Sequence, residues 1–240
     1  MRLAALKNRH QNERCVLVAN GPSLNAMQLD FLRDETVIGV NKIFLGFKKF
    51  AFYPRYYVAV NRKVIAQAER QIKALNCIKF IGDAGADDHI NENALTYLVN
   101  TRSPRSRFCK DLTTEGMHEG FTVTYAALQV AYFLGFRQVI LIGLDHRYAY
   151  TGQPNEASRM EGSDPNHFSS EYFSNGQEWD NPDLEHSEES YRIARRMFEE
   201  DGRSIVDATV DGACTIFPKQ DYKTIFLDGG RIPAIGNPSK

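Results

Sequence analysis

An excess of charge of either sign is missing: 29 lysines and arginines face 30 aspartates and glutamates in 240 residues, a net charge of −1. Such a balance does not build a polyanion-binding surface, so nucleic acid is not an expected partner. Cysteine is sparse, with Cys15, Cys77, Cys109 and Cys214 scattered, no CxxC pair and no histidine at metal-ligand spacing. Cys15 and Cys77 sit in apolar runs and are expected to be small core residues in a reducing cytosol rather than redox groups. Long apolar runs are also missing. The stretch near the N-terminus, Leu3 to Leu6, is too short for a signal peptide or a membrane span. The expectation is a cytoplasmic protein without a transmembrane segment, with peripheral contact at the inner membrane face and a homo-oligomeric state left open. Neither GxGxxG nor the P-loop pattern occurs, which counts against a dinucleotide dehydrogenase and a P-loop kinase. No Asp-x-Asp lies between apolar runs, and Asp87-Asp88 falls in a polar stretch and reads as solvated surface. No metal site is expected.

What is present is ordinary globular material, 42% apolar and 25% charged, enough for a sizeable core. Short apolar runs alternate with helical patterns, the signature of βαβ units and a mainly parallel sheet. Strands are predicted at Cys15–Ala19, Val37–Asn41, Tyr56–Val60, Cys77–Ile81, Gln138–Gly143 and Ser204–Ala208. Helices are predicted from about Ser23, with Leu24, Met27 and Phe31 on one face, and from Lys63 to Leu75. A buried one is predicted from Thr122 to Leu134, closed by Gly135, and a last one from near Ser187 to Gly202. The expected fold is therefore α/β, a Rossmann-like, mainly parallel sheet flanked by helices, as one domain over 15–228. An N-terminal extension over 1–14 and a loose Gly/Pro-rich tail over 229–240 flank it. Residues 83–121 are polar and poorly periodic, with a basic cluster at Arg102, Arg105, Arg107 and Lys110. Residues 146–185 mix Tyr, Phe and the lone Trp179 with Asn, Ser and Gly. That stretch is expected to be a lid inserted before the last helix, able to order around a ligand but not to build its own core.

The turn after the first strand, Asn20-Gly21-Pro22-Ser23, is the best local signal for a site. Gly21 lets backbone approach a ligand, Pro22 suits a first helical turn, and the N–H groups behind it can hold an anion. Two more strands end in asparagine, Asn41 and Asn61. In an open parallel sheet, ligands bind beyond the carboxyl ends of the strands, so Asn20, Asn41 and Asn61 are expected to ring one crevice. Their amides offer both donor and acceptor atoms to a base or a ribose. Gly143 and Asp145 close the central strand at the same level, where Asp145 could accept from a hydroxyl.

Three pieces of sequence together carry a resemblance. They are Asn20-Gly21-Pro22-Ser23-Leu24, Val40-Asn41-Lys42, and Leu134-Gly135-Phe136-Arg137-Gln138-Val139-Ile140-Leu141-Ile142-Gly143-Leu144-Asp145, the last preceded by a Thr-rich entry to a buried helix. From about Cys15 to Pro218 the chain resembles the MptE-like family and the related bacterial sialyltransferases of the Campylobacter lipooligosaccharide type. The wider family includes motility-associated flagellin glycosyltransferases and an archaeal 6-hydroxymethylpterin diphosphokinase. The resemblance implies Asn20, Gly21 and Ser23 at the nucleotide phosphate and Asn41 and Asn61 at the base and sugar. It places Thr122 and Thr124 where relatives carry a Thr-Ser-Gly turn, and Asp145 at the acidic position after the central strand. Tyr148 or Tyr150 would meet the departing phosphate, and His186 would be the general base.

The position of His186 ahead of a helix suggests the same role, since the positive end of a helix dipole disfavours imidazolium and a base must be neutral. His167, in Asn166-His167-Phe168, is the competing base, and His146 stands beside Asp145 in support. The leading expectation is a glycosyltransferase that moves a sialic-acid-like or related sugar from a CMP-activated donor to a surface glycan or lipid-linked acceptor. It would need no metal and no cofactor beyond the donor. A 6-hydroxymethylpterin diphosphokinase using ATP and Mg²⁺ is one alternative. A non-catalytic nucleotide-binding accessory protein is the other.

Overall fold

The computed structural model describes residues 2–227. The expected loose tail over 229–240 lies outside them. The described residues form nine strands: β1 (Arg14–Val18), β2 (Val37–Val40), β3 (Tyr56–Ala59), β4 (Ile78–Gly82), β5 (Thr96–Val99), β6 (Gln138–Ile142), β7 (Ala157–Arg159), β8 (Glu178–Asp180) and β9 (Ser204–Asp207). Seven make one sheet in the order β5-β4-β3-β2-β1-β6-β9, every neighbouring pair parallel. The expected Rossmann-like α/β fold is what forms.

Both faces of the sheet are covered, which is why its strands read as unbroken apolar runs. Along β1 the alternation is clean: Cys15 and Leu17 enter one core cluster, Val16 and Val18 the other. β6 repeats it with Val139 and Leu141 against Ile140 and Ile142. Each such fully buried aliphatic side chain contributes about 1.5–3 kcal/mol of transfer free energy. All four cysteines are buried and free, as expected of core residues.

The buried helix Val123–Leu134 packs on the first of these clusters. Thr122 caps it, its hydroxyl accepting from the Thr124 N–H at 3.3 Å, and Gly135 ends it at φ +94. Gln129 is a wholly buried polar residue in the middle of this helix. Its carbonyl accepts from the N–H groups of Cys109 and His118, and its amide donates to the carbonyls of His118 and Tyr125. That one side chain fastens the irregular stretch before the helix to the core.

Several local expectations are corrected. The chain after β1 forms two 3₁₀ turns, Pro22–Ala26 and Asp30–Arg33, instead of one α-helix, although Leu24, Met27 and Phe31 are buried as the spacing required. The Lys63–Leu75 helix is two, Arg62–Gln67 and Glu69–Ala74, broken at Ala68. The polar stretch 83–121 contributes β5, the sheet's edge strand. Ahead of β1, Leu6 is wholly buried in the core, and His10 stacks on Phe136 and hydrogen-bonds Tyr56, so this segment is packed into the domain. The long helix runs from Leu184 to Glu200, capped by Asp183, and is not the last, since Tyr222–Phe226 follows β9.

The insertion between β6 and that helix carries β7 and β8, paired antiparallel. Contrary to expectation it builds a small core of its own, Met160, Tyr172, Phe173 and Trp179, closed against Val64 of the body. Enough aromatic side chains sit close together to exclude water once the β7–β8 pair fixes the backbone.

Candidate active site

The chain proceeds from β1 outward to β5, then returns to lay β6 on the other flank of β1. The strand order therefore reverses between β1 and β6, and a crevice opens beyond their carboxyl ends at such a switch point. Register makes the three central strands end level, with Val18 opposite both Gly39 and Ile142. This brings Asn20, Asn41 and Asp145 to one rim.

Two connected cavities lie there. The inner one, about 90 Å³, is lined by Asn20, Gly21, Asn41, Thr124, Gly143, Asp145, His146 and Arg147 among others. The outer one, about 540 Å³, is lined by Asn61, Glu119, Asn155, Phe173, Trp179 and Asp183 among others. Asn41, Phe121, Thr122, Tyr148, His167 and Tyr172 line both. Arg147 is the one lysine or arginine lining either cavity among the described residues.

Asn20 is 7% exposed, and its amide donates to the Val40 carbonyl at 3.1 Å, which fixes the orientation of the group. Its Oδ1 is left buried without a partner, and so is that of Asn41, a residue held at φ +48. Buried acceptors without donors cost free energy, and two at one crevice are unusual. Asn61 behaves differently. Its Oδ1 caps the helix Arg62–Gln67 through the Val64 N–H at 3.0 Å, so it borders the outer cavity with that oxygen already engaged.

The turn after β1 is filled from within. Asp145 accepts from the Ser23 N–H at 3.0 Å and from the Ser23 hydroxyl at 2.6 Å. Burial raises its pKa, with the Ser23 hydrogen bonds and Arg147 pulling the other way. The close approach that Gly21 permits is that of the Asp145 carboxylate, which a Cβ there would overlap, and Gly21 itself has an ordinary φ of −68°. Pro22 starts the 3₁₀ turn as expected, but neither it nor Ser23 lines a cavity. Expectations for this turn as an open anion site are corrected accordingly.

Three histidines near the cleft each face a carboxylate. His167 Nδ1 lies 2.7 Å from Asp164 Oδ2, whose side chain is wholly buried and also accepts the Phe173 N–H. The imidazole is 11% exposed, lies flat on Tyr172 with centroids 3.7 Å apart, and has no partner at Nε2 among the described residues. His146 is buried beside Glu188 at 3.3 Å, and burial lowers its pKa. His186 lines neither cavity. It lies in the first turn of the long helix, 51% exposed, with Nδ1 2.8 Å from Asp183. The hydrogen bond and charge of Asp183 raise its pKa, the reverse of the neutrality expected from the helix dipole. Burial works against the Asp183 charge, but hydrogen bonds from the His186 N–H, the His186 ring and Asn155 outweigh it and lower that pKa.

Tyr148 borders both cavities, and burial of its hydroxyl, helped by Asp145 and Asp164, pushes its pKa up to about 12. Tyr150 turns away from the cleft toward the lid core. Lys42, which the sequence shows only as part of a motif, proves to be the fastening of the lid. Its ammonium donates to the Tyr172 carbonyl at 2.6 Å, to Gln67 at 2.8 Å and to Gln177 at 3.3 Å, and lies 4.5 Å from the centre of the Phe173 ring. Burial lowers its pKa to about 8, against the pull of Asp164.

Fold and cleft together define a Rossmann-like α/β protein with a crevice at its switch point, bordered by the β7–β8 insertion. More narrowly, the chain belongs to the MptE-like family, whose sequence model, described as 6-hydroxymethylpterin diphosphokinase MptE-like, matches residues 2–151. Its fold is also that of the MAf glycosyltransferase from Magnetospirillum magneticum AMB-1, at a TM-score of 0.57 and 12% identity. That likeness covers 95% of this chain and 38% of the other, so the chain spans well under half the length of that protein. No curated protein matches the chain. Among the described residues, no helix is long and apolar enough to cross a membrane.

Proposed function

We propose that the protein transfers a sugar from a nucleotide-activated donor to an acceptor hydroxyl, the donor being a CMP-linked, sialic-acid-like or related sugar. The acceptor in this reading is a surface glycan or a lipid-linked sugar. One observation carries the reading: two unpartnered asparagine oxygens and a buried Asp164–His167 pair meet at one switch-point crevice. The Oδ1 atoms of Asn20 and Asn41 would accept from ribose hydroxyls or a base amine. Arg147 and the N-terminus of the helix Val123–Leu134 would face the phosphate. A donor with a single phosphate suits a cleft with a single guanidinium, because a diphosphate would bring more charge than this lining balances without a metal.

In this mechanism His167 Nε2 takes the acceptor hydroxyl's proton while that oxygen attacks the anomeric carbon. The bond from the anomeric carbon to the phosphate oxygen breaks, and CMP leaves with the bonding electrons. Asp164 holds the imidazole by Nδ1 and stabilises the imidazolium as it forms, the division of labour of an orienting carboxylate and a base. Tyr148, kept protonated, donates a hydrogen bond to the leaving phosphate. His167 is favoured over His186 because it borders both cavities and its carboxylate partner is wholly buried. The test is turnover of CMP-sugar donors per folded molecule. His167→Ala should lower it by ~10²–10⁴-fold with nucleotide affinity retained. Equal rates in His167→Ala and the parent, with a large loss in His186→Ala, would move the base to the helix terminus. Activity intact in both variants would remove His167 and His186 alike as the base.

Pyrophosphate transfer from ATP to a pterin alcohol is the second reading. It is favoured by the description of the matched family and by the flat walls of Tyr172, Phe173 and Trp179 in the outer cavity. It requires Mg²⁺, and Asp145, the best-placed carboxylate, is already bonded to Ser23 through both oxygens. A non-catalytic nucleotide-binding role would bind nucleotide without turning over any donor.

A further inference from the structure

Phe121 is unusual three times over. It has the greatest fractional exposure of the large apolar side chains among the described residues, at 52%, and it lines both cavities. Its backbone sits at φ +62 directly after Gly120 at φ +60. The left-handed region is costly for a bulky side chain, and such strain persists only where the surroundings impose it. The surroundings here are specific. The Phe121 carbonyl lies 3.4 Å from the Ser187 hydroxyl, which donates chiefly to the Asp183 carbonyl at 2.6 Å, and the Phe121 ring stacks on His186 with centroids 4.7 Å apart and planes 26° apart. His186 is in turn pinned by the buried Asp183. A strained backbone is thus used to hold an aromatic face out in the mouth of the cleft, where more than half of it stays exposed.

We propose that Phe121, braced by His186, is a stacking platform for a neutral pyranose ring of the acceptor. This rests on the sugar-transfer reading above. The electron-rich face of an aromatic ring attracts the electron-poor C–H bonds on one face of a pyranose. The same outer cavity offers Glu119 and Asn155 to the hydroxyls, and among the described residues no lysine or arginine lines it to call for an anionic sugar. The assignment turns His186 from a base into a support.

The experiment is saturation-transfer NMR with methyl hexopyranosides on the parent protein, Phe121→Gly, Phe121→Trp and His186→Phe. Nucleotide-induced thermal stabilisation is recorded on the same samples. Transfer to the sugar C–H protons should be seen in the parent, be lost in Phe121→Gly, and survive in Phe121→Trp and His186→Phe, which preserve the stack. Phe121→Gly should also unfold at the same temperature as the parent or higher, because glycine relieves the strained φ. Glycoside signals absent from the parent, unchanged in Phe121→Gly or lost in His186→Phe would overturn the proposal. A lowered unfolding temperature of Phe121→Gly would do the same by making the ring structural. Nucleotide stabilisation lost with Phe121 would give the platform to the base instead. If no nucleotide stabilises the parent, the sugar-transfer reading itself falls. If nucleotides bind and glycosides ignore position 121, only this inference does.

Discussion

Replacing Gly21 by alanine isolates the contact on which the inner cavity is built. Gly21 has φ −68°, a conformation alanine adopts freely. On backbone entropy alone the change should stabilise by about 0.4–1 kcal/mol. Space decides otherwise. The new methyl would overlap the Asp145 carboxylate and lie 2.7 Å from the Gly143 carbonyl oxygen, a backbone atom that cannot swing away. Asp145 must then give up the Ser23 N–H and the Ser23 hydroxyl. Hydrogen bonds to a charged group contribute about 1.5–3 kcal/mol each, and the lower end fits a carboxylate that is not fully buried. Overpacking against the Gly143 carbonyl adds about 1–3 kcal/mol. Net destabilisation of about 3–5 kcal/mol is expected, read as a shift in urea midpoint at constant slope. In an Asp145→Ala background the same substitution should cost ~3 kcal/mol less, because the two hydrogen bonds it would break are already gone and only the contact with the Gly143 carbonyl remains. A neutral or stabilising Gly21→Ala, or full additivity with Asp145→Ala, would refute the close packing of these two residues.

Two further predictions follow from the lid. Lys42 is depressed from about 10.5 to about 8 in the folded state, so the unfolded chain binds more protons between those values and stability should rise with pH across that window. Lys42→Met should lack this alkaline rise, and identical pH profiles for the two proteins would show that the lysine is not buried as described. The amides of Phe168 and Phe173 donate to the Asn20 carbonyl and to Asp164, which ties the inserted segment's backbone to the rim of the inner cavity and to the His167 partner. Saturating nucleotide should slow hydrogen exchange at both, and exchange unchanged by every nucleotide would uncouple lid from site.

Sequence was most informative where one physical signal dominated. The period-two burial of β1 and β6, and the Thr122 and Gly135 ends of the buried helix, followed directly from residue pattern. The convergence of Asn20, Asn41 and Asp145 followed from strand ends alone, but the order of strands did not. β5 is four residues inside a polar stretch, and its pairing with β4 is a long-range choice that no local pattern carries. Reasoning from the helix dipole misjudged the direction in which the His186 pKa moves, and the cause is plain. Asp183 caps the helix three residues ahead of it, and its hydrogen bond and charge raise the His186 pKa against the helix dipole. Gln129 was hidden in an apolar run and Lys42 in a motif. What each does depends on acceptors or donors tens of residues away, such as Cys109 and Tyr172. Gly21 was singled out for the right reason, close approach, with the wrong partner.

The central claim is that this cleft holds a nucleotide, and that the nucleotide is the carrier of a sugar. A thermal-shift panel of CMP, CTP, CDP, UDP, GDP and ATP, each with and without Mg²⁺, tests it most directly, since a ligand that binds only the folded state raises its apparent stability by mass action. CMP should stabilise most, equally with and without the metal, and Asn20→Ala should reduce the shift. Stabilisation by ATP alone and only with Mg²⁺ would contradict the account and put pyrophosphate transfer in its place.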